Sequence, residues 1–219
     1  MENRISRLLD TFRELFGEAK PLLYSAPGRT EIGGNHTDHQ HGKVLAASVN
    51  MDMLAAAAEN GSNVVNVKSE GYDMFSLELG QMEPVAGEEG STAALVRGIC
   101  SIIAGRGYEL RGFDMCVSSQ VMQGSGLSSS AAFEVLVGAV VGGLFCDDAL
   151  SATELALIGQ QAENRFFGKP CGLMDQMASA WGGIIAIDFK EPAAPEVKRV
   201  DFDFAAAGQG LCMIDVKAD

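Results

Sequence analysis

At 219 residues, 47% of them hydrophobic and 21% charged, the chain can bury a sizeable core as one large domain or one and a half, and it is too apolar to be mainly disordered. A total of 29 acidic residues against 16 basic ones leaves a net charge of −13, which argues against nucleic acid or an anionic membrane surface as partner but leaves room for a small phosphorylated ligand held by local amides. Five cysteines (Cys100, Cys116, Cys146, Cys171 and Cys212), with no CxxC pair among them, read as reduced core residues of a cytoplasmic protein.

Ile5, Leu8, Leu9, Phe12, Leu15 and Phe16 recur at helical spacing with charges between them, predicting an amphipathic opening helix that Gly17 and Pro21 end. Its charges lack the basic-then-apolar order of a leader peptide. Leu22 to Ala26 is a predicted strand, and Pro27-Gly28 opens a long polar loop reaching Gly42. Val44 to Val49, Met51 to Ala58, Val64 to Lys68 and Met74 to Leu79 predict an antiparallel meander, with turn signals at Asn60-Gly61 and Glu70-Gly71. After the acidic segment Glu83 to Gly90 come a helix over Thr92 to Ala104 and a strand over Phe113 to Ser118.

Two further helices are predicted, Ser129 to Phe145 and Thr153 to Phe167, the second capped by Ser151 with Glu154 in the capping-box position. The apolar run Ala131 to Phe145 is short and broken by Glu134, so no membrane span is expected. A polar loop, Gly168 to Gly172, leads into a short helix from Met174 to Ala180. Gly183 to Phe189 and Leu211 to Val216 are the last predicted strands, with Lys190 to Pro195 as a loop between domains or hairpins.

Three polar stretches carry chemistry. In Gln123 to Ala132 the glycines let the backbone approach an anion closely and the following helix aims its free N–H groups at it, while Ser128, Ser129 and Ser130 add hydroxyls; a Ser-capped buried helix after a tight turn explains the same pattern. The spacing fits neither a Walker loop nor a dinucleotide fingerprint. Gly28 to Gly42 holds all three histidines, but its spacing matches no zinc pattern. Asn35, His36 and Asp38 suit a polar sugar better, and a self-bonded solvated loop is the alternative. In Glu163 to Gln176, Asp175 at the mouth of a predicted helix is a general base or an N-cap.

Taken in order, the three stretches resemble one family. APGRTEIGGNHTDHQHG is similar to the galactokinase signature, GSGLSSSAAFEV to the ATP-binding motif of the GHMP small-molecule kinases, and AENRFFGKPCGLMDQ to their catalytic-aspartate segment. The resemblance covers about Pro21 to Phe189. It implies an α+β fold, the GHMP-kinase N-terminal domain, with a mixed or antiparallel sheet packed by helices and a left-handed β-α-β crossover. Residues 1–205 would form this sugar- and ATP-binding domain, and residues 206–219 the first strand of a C-terminal domain. With that domain missing, the chain is expected to turn over poorly, and its uncovered surface to favour a dimer.

The resemblance also implies roles. Asp175 would orient or deprotonate the attacking hydroxyl, and Arg29 would steady developing phosphoryl charge. Asp38 would grip the sugar, with Asn35, His36 and Gly172 beside it. Gly124, Ser125, Gly126, Leu127, Ser128, Ser129 and Ser130 would form the ATP triphosphate loop, and Ser130 and Glu163 would hold Mg2+. The implied reaction is phosphorylation of the anomeric hydroxyl of galactose or a related sugar, and phosphoryl transfer needs little more than this positioning and charge neutralisation. Galactokinases usually carry Glu where this chain has Asn35 and an aromatic residue at His39. A uronic, amino or deoxy sugar is therefore the alternative substrate, and a non-catalytic sugar and ATP sensor the alternative function.

Overall fold

The computed structural model describes residues 2–212. Helix α1 (Glu2–Phe16) is followed by strands β1 (Leu22–Gly33), β2 (Lys43–Glu59), β3 (Val64–Ser69) and β4 (Phe75–Glu78), then helix α2 (Thr92–Ala104) and strand β5 (Phe113–Ser119). Helices α3 (Ser129–Phe145), α4 (Ala152–Ala162) and α5 (Met174–Trp181) come next, and strands β6 (Ile184–Asp188) and β7 (Glu196–Arg199) complete the sheet.

Strand β2 is the axis of the fold. Along one edge it pairs antiparallel with β1 from Leu22↔Ala57 to Gly33↔Leu45. The other edge is divided: Met53 to Glu59 pairs with β5, and Lys43 to Ala47 pairs with β6. The sheet therefore forks at Ser48 to Asp52, where β5 gives way to the Gly-Ser loop and α5 arrives at β6. Side chains alternate across β2 as the pleat requires. Met53, Ala55 and Ala57 enter the main core with Val96, Ile99, Leu136 and Val140, whereas Leu54 and Ala56 meet Leu8 and Phe12 of α1 on the opposite face. A strand buried on both faces needs apolar residues at every position, which explains the unbroken run Met53 to Ala58.

Helix α3 is buried on nearly all sides, which is why its sequence shows apolar content rather than a stripe. Helix α4 starts on a complete capping box: the Ser151 hydroxyl accepts from Glu154 N, and the Glu154 carboxylate accepts from Ser151 N. The acidic segment before α2 is pinned by Arg97, whose guanidinium donates to both Glu88 oxygens at 2.7 and 2.9 Å.

Several expectations are corrected. Pro27 to Gly33 is strand rather than loop, because its polar side chains face a cleft and partners in the protein. Val44 to Val49 and Met51 to Ala58 are one strand; Asn50 between them is exposed and interrupts nothing. The meander is broken by β5, which sits parallel to β3 and between it and β2, so β4 and α2 form a β-α-β crossover between parallel neighbours. The helix expected to reach Phe167 turns into one π turn over Glu163–Phe167. Lys190 to Pro195 is the hairpin loop that was one of its two expected roles, and the strand it leads to, β7, was not expected: it is a short and mostly exposed edge strand that carries no alternating apolar signal. Cys100, Cys116 and Cys146 are buried, but Cys171 is half-buried and Cys212 exposed. Of the strand expected over Leu211 to Val216, Leu211 and Cys212 are irregular, and the rest lies outside the described residues. No helix among the described residues is long and apolar enough to cross a membrane.

Candidate active site

At the fork of the sheet, the turn after β5 becomes the N-terminus of α3. Gly124 and Gly126 adopt φ of 74° and 75°, the left-handed region that glycine enters without steric cost. Ser128 follows at φ 60°, and its hydroxyl leaves the helix uncapped, donating instead to Asp175 Oδ2 at 2.5 Å. The first intrahelical bond runs from Ala132 N to Ser128 O at 3.1 Å. The N–H groups of Ser129, Ser130 and Ala131 therefore have no partner within the helix and mark the positive end of a 17-residue dipole. Such an end is a ready anion site.

Arg29 on β1 reaches beneath this loop. Its Nε and Nη2 meet Asp175 Oδ1 and Oδ2 at 2.6 and 2.7 Å, and Nη1 donates to Gly126 O at 2.7 Å. One guanidinium thus ties β1, the Gly-Ser loop and the first turn of α5 together. The backbone repeats the link, with Arg29 N donating to Leu127 O at 3.0 Å.

Asp38 sits on a 3-10 turn, Thr37–Gln40, and is buried. Its Oδ2 accepts from Leu173 N and Met174 N at 2.9 and 3.1 Å, so it caps α5 from a distant part of the chain. Gly172 makes this possible: a Cβ there would lie 1.8 Å from Asp38 Oδ2. The histidines disperse to three partners. His36 Nδ1 lies 2.5 Å from Glu31 Oε2, His39 Nδ1 lies 3.4 Å from Asp38 Oδ1, and His41 Nδ1 lies 3.2 Å from the Lys190 carbonyl.

A cleft of about 360 Å3 brings together most of the expected residues: Arg29, His36, Asp38, Gly172, Asp175, Gly124, Gly126, Ser128, Ser129, Ser130 and Glu163. Asn35, Ser125 and Leu127 do not line it. Ser125 folds the loop on itself by donating to Met122 O at 2.6 Å, and the Leu127 side chain is buried in the core. Residues not expected from the sequence complete the wall, among them Met122, Lys169, Cys171 and Gln176. Glu31, which holds the His36 backbone N–H at 2.9 Å, was also missed.

Glu163 and Ser130 offer a carboxylate and a hydroxyl in the same cleft, the hard oxygen donors that Mg2+ takes alongside substrate phosphates. The donor set fits that ion. Lys169 Nζ lies 3.6 Å from Glu163 Oε1. Behind Glu163 is Glu134 of α3, fully buried, whose carboxyl is pushed up to about 8 by burial first and by neighbouring Glu163 second. Burial, and then hydrogen bonding to Glu163, also push the Cys171 thiol up.

The galactokinase galactose-binding signature matches residues 10–59, and the GHMP kinases N terminal domain matches residues 93–183. The chain is 32% identical over 211 residues to a galactokinase of Streptomyces coelicolor, a match that covers 95% of this chain and 54% of the relative. It is similar to the crystal structure of Lactococcus lactis galactokinase complexed with galactose, with a TM-score of 0.82 and 30% identity over 92% of this chain and 53% of that one. Methanococcus jannaschii mevalonate kinase, at 15% identity and a TM-score of 0.70 over 86% of this chain and 58% of that one, shares the fold. The chain spans about half the length of the relatives it matches.

Proposed function

The chain belongs to the galactokinase family of the GHMP kinases, and from that membership we propose that it serves transfer of the γ-phosphoryl group of ATP to the anomeric hydroxyl of galactose. The observation that carries this reading is the Arg29–Asp175 pair lying against the open N-terminus of α3 in one cleft. An acceptor hydroxyl and a triphosphate would meet there.

In this reading the amides and hydroxyls of Ser128 to Ser130 hold the phosphates, and Asp38 and His36 face the sugar. Asp175 Oδ2 already accepts from Arg29 and Ser128, whereas Oδ1 accepts from Arg29 alone among the described contacts. Oδ1 is therefore the oxygen that receives the hydrogen of the sugar hydroxyl and aims it at phosphorus. As the new O–P bond forms and the bond to ADP breaks, negative charge shifts towards the leaving phosphates, where the helix end and Arg29 offset it. Ser130 and Glu163 would hold Mg2+, which neutralises phosphate charge when bound.

Asn35 does not line the cleft, so its departure from the usual Glu supplies no support for a uronic, amino or deoxy sugar. Five free cysteines suit a reducing, cytoplasmic setting. Galactose-dependent ADP release by an enzyme carrying this chain, with 31P NMR of the product, tests the proposal. A galactose 1-phosphate signal is expected; release that ignores galactose, or phosphate on another hydroxyl, would refute it.

A further inference from the structure

At the inner wall of the cleft three buried polar side chains meet, one from each of the helical segments that carry the site. Glu134 lies one helical turn after Ser130 on α3, Gln176 directly follows Asp175 on α5, and Glu163 opens the π turn that follows α4. They are 0%, 1% and 3% exposed, so each needs partners within the protein. The Gln176 amide nitrogen lies 2.9 Å from Glu134 Oε2 and 3.2 Å from Glu163 Oε2, which uses both of its N–H donors on two carboxyl groups.

Two oxygens in this cluster, Glu134 Oε1 and Gln176 Oε1, are buried and have no partner among the described residues. A carboxyl group that keeps its proton resolves both at once. Its O–H would donate to the amide oxygen while its other oxygen accepts the amide N–H at 2.9 Å, which would close an acid–amide pair. Helix α4 approaches this pair with no room to spare: a Cβ at Gly159 would lie 3.0 Å from Glu134 Cβ and 3.2 Å from Glu134 Oε2. The pair is thus locked on the third side as well.

We propose that Gln176, held by Glu134, is a positioning residue that fixes the Glu163 carboxylate and binds the Asp175 helix to the serine-loop helix. The inference rests on the reading of Glu163 as a ligand of the nucleotide's divalent cation. It assigns work to Gln176, which is part of the cleft wall, and to Glu134 buried behind it. A ligand carboxylate whose second oxygen is held by a fixed donor presents its first oxygen in one orientation, and loss of such outer partners weakens metal sites.

Electron paramagnetic resonance titration of Mn2+ in the presence of ATP, using this chain, tests the proposal, with melting followed in parallel. Gln176→Met is expected to weaken Mn2+·ATP binding by about tenfold or more, and Glu134→Leu to match it. Glu134→Gln, which can re-form a closed amide pair, should bind within about threefold of the parent, a rescue that a generic packing role would not require. Should Gln176→Met fail to fold, Gln176→Asn keeps the amide but draws it back by one methylene, and the same loss is expected. Glu163→Gln separates the two levels of argument. If it weakens Mn2+·ATP binding while the Gln176 variants do not, the positioning role is wrong and the kinase reading stands; if neither it nor they matter, or the parent binds no Mn2+·ATP, both fall.

Discussion

Arg29 and Asp175, 146 positions apart in the chain, meet in a two-point ion pair at 2.6 and 2.7 Å whose Arg29 side chain is only 10% exposed. The planar fork of the guanidinium fixes the carboxylate plane, and a lysine would supply charge without that plane. Asp175→Asn is expected to lower turnover by about 10²–10⁴-fold while ATP binding is kept. Arg29→Lys should also lose turnover with the fold intact. Calorimetric ATP titration beside coupled ADP release reads both; an Asp175→Asn enzyme with parental turnover would remove Asp175 from the reaction.

Asp38 and Gly172 are a second fitted pair. Gly172→Ala places a methyl group where Asp38 Oδ2 sits, so Asp38 must withdraw from the N–H groups of Leu173 and Met174. A stability loss of about 1–3 kcal/mol is expected, with weaker galactose binding. Asp38→Asn keeps an acceptor for the helix but surrenders the charge that the dipole favours, and should cost about 1 kcal/mol. Urea unfolding and sugar titration of the two variants check this ordering; equal stability of Gly172→Ala and parent would contradict it.

What could be read from the chain alone divides by range. The Ser151–Glu154 capping box and helix α3 are encoded within a few neighbouring residues and appear where expected. The insertion of β5 between β3 and β2 depends on pairing across about fifty residues, and no local pattern announces it. Arg29 and Glu31 looked like loop residues because polar side chains on a strand normally face water, whereas here they face Asp175 and His36. Most residues that line the cleft, Arg29, Asp38, Ser128 to Ser130 and Asp175 among them, were legible because they fall in three polar stretches whose order resembles one family. Gln176 and Glu134 lie inside quoted motifs, and the one available hint was a single Glu in the apolar run Ala131 to Phe145. A buried acid–amide pair differs from a surface one only in what surrounds it.

Opposed carboxyl groups set the pH dependence of stability. Glu88 is held below its ordinary 4.5 by hydrogen bonding to Arg97, so its contribution is complete above that value and is lost as pH falls through the depressed one. Glu134 is held up at about 8, so between about pH 4.5 and 8 the unfolded chain is ionised there while the native state keeps its proton. Stability from this group is complete below 4.5 and declines as pH rises, by up to about 1.4 kcal/mol per pH unit. Greatest stability is therefore expected on the acid side of neutrality. Glu134→Gln should flatten the decline in urea unfolding at pH 5, 6.5 and 8; an unchanged slope would mean that Glu134 ionises as it does in the unfolded chain.

Cys171 shows that lining a cleft does not make a thiol reactive. It is half-buried beside Glu163, and burial first, then the hydrogen bond to Glu163 and that group's negative charge, oppose the thiolate. Only the thiolate attacks an alkylating agent. With iodoacetamide at pH 8, exposed Cys212 should be modified first and Cys171 about tenfold more slowly or worse. Accessibility alone could produce that order, so a second variant is needed. Glu163→Gln removes one opposing charge without opening the site, and Cys171 labelling, followed by peptide mass spectrometry, should then speed up. Unchanged labelling in that variant would assign the slowness to burial and leave Glu163 without influence on the thiol.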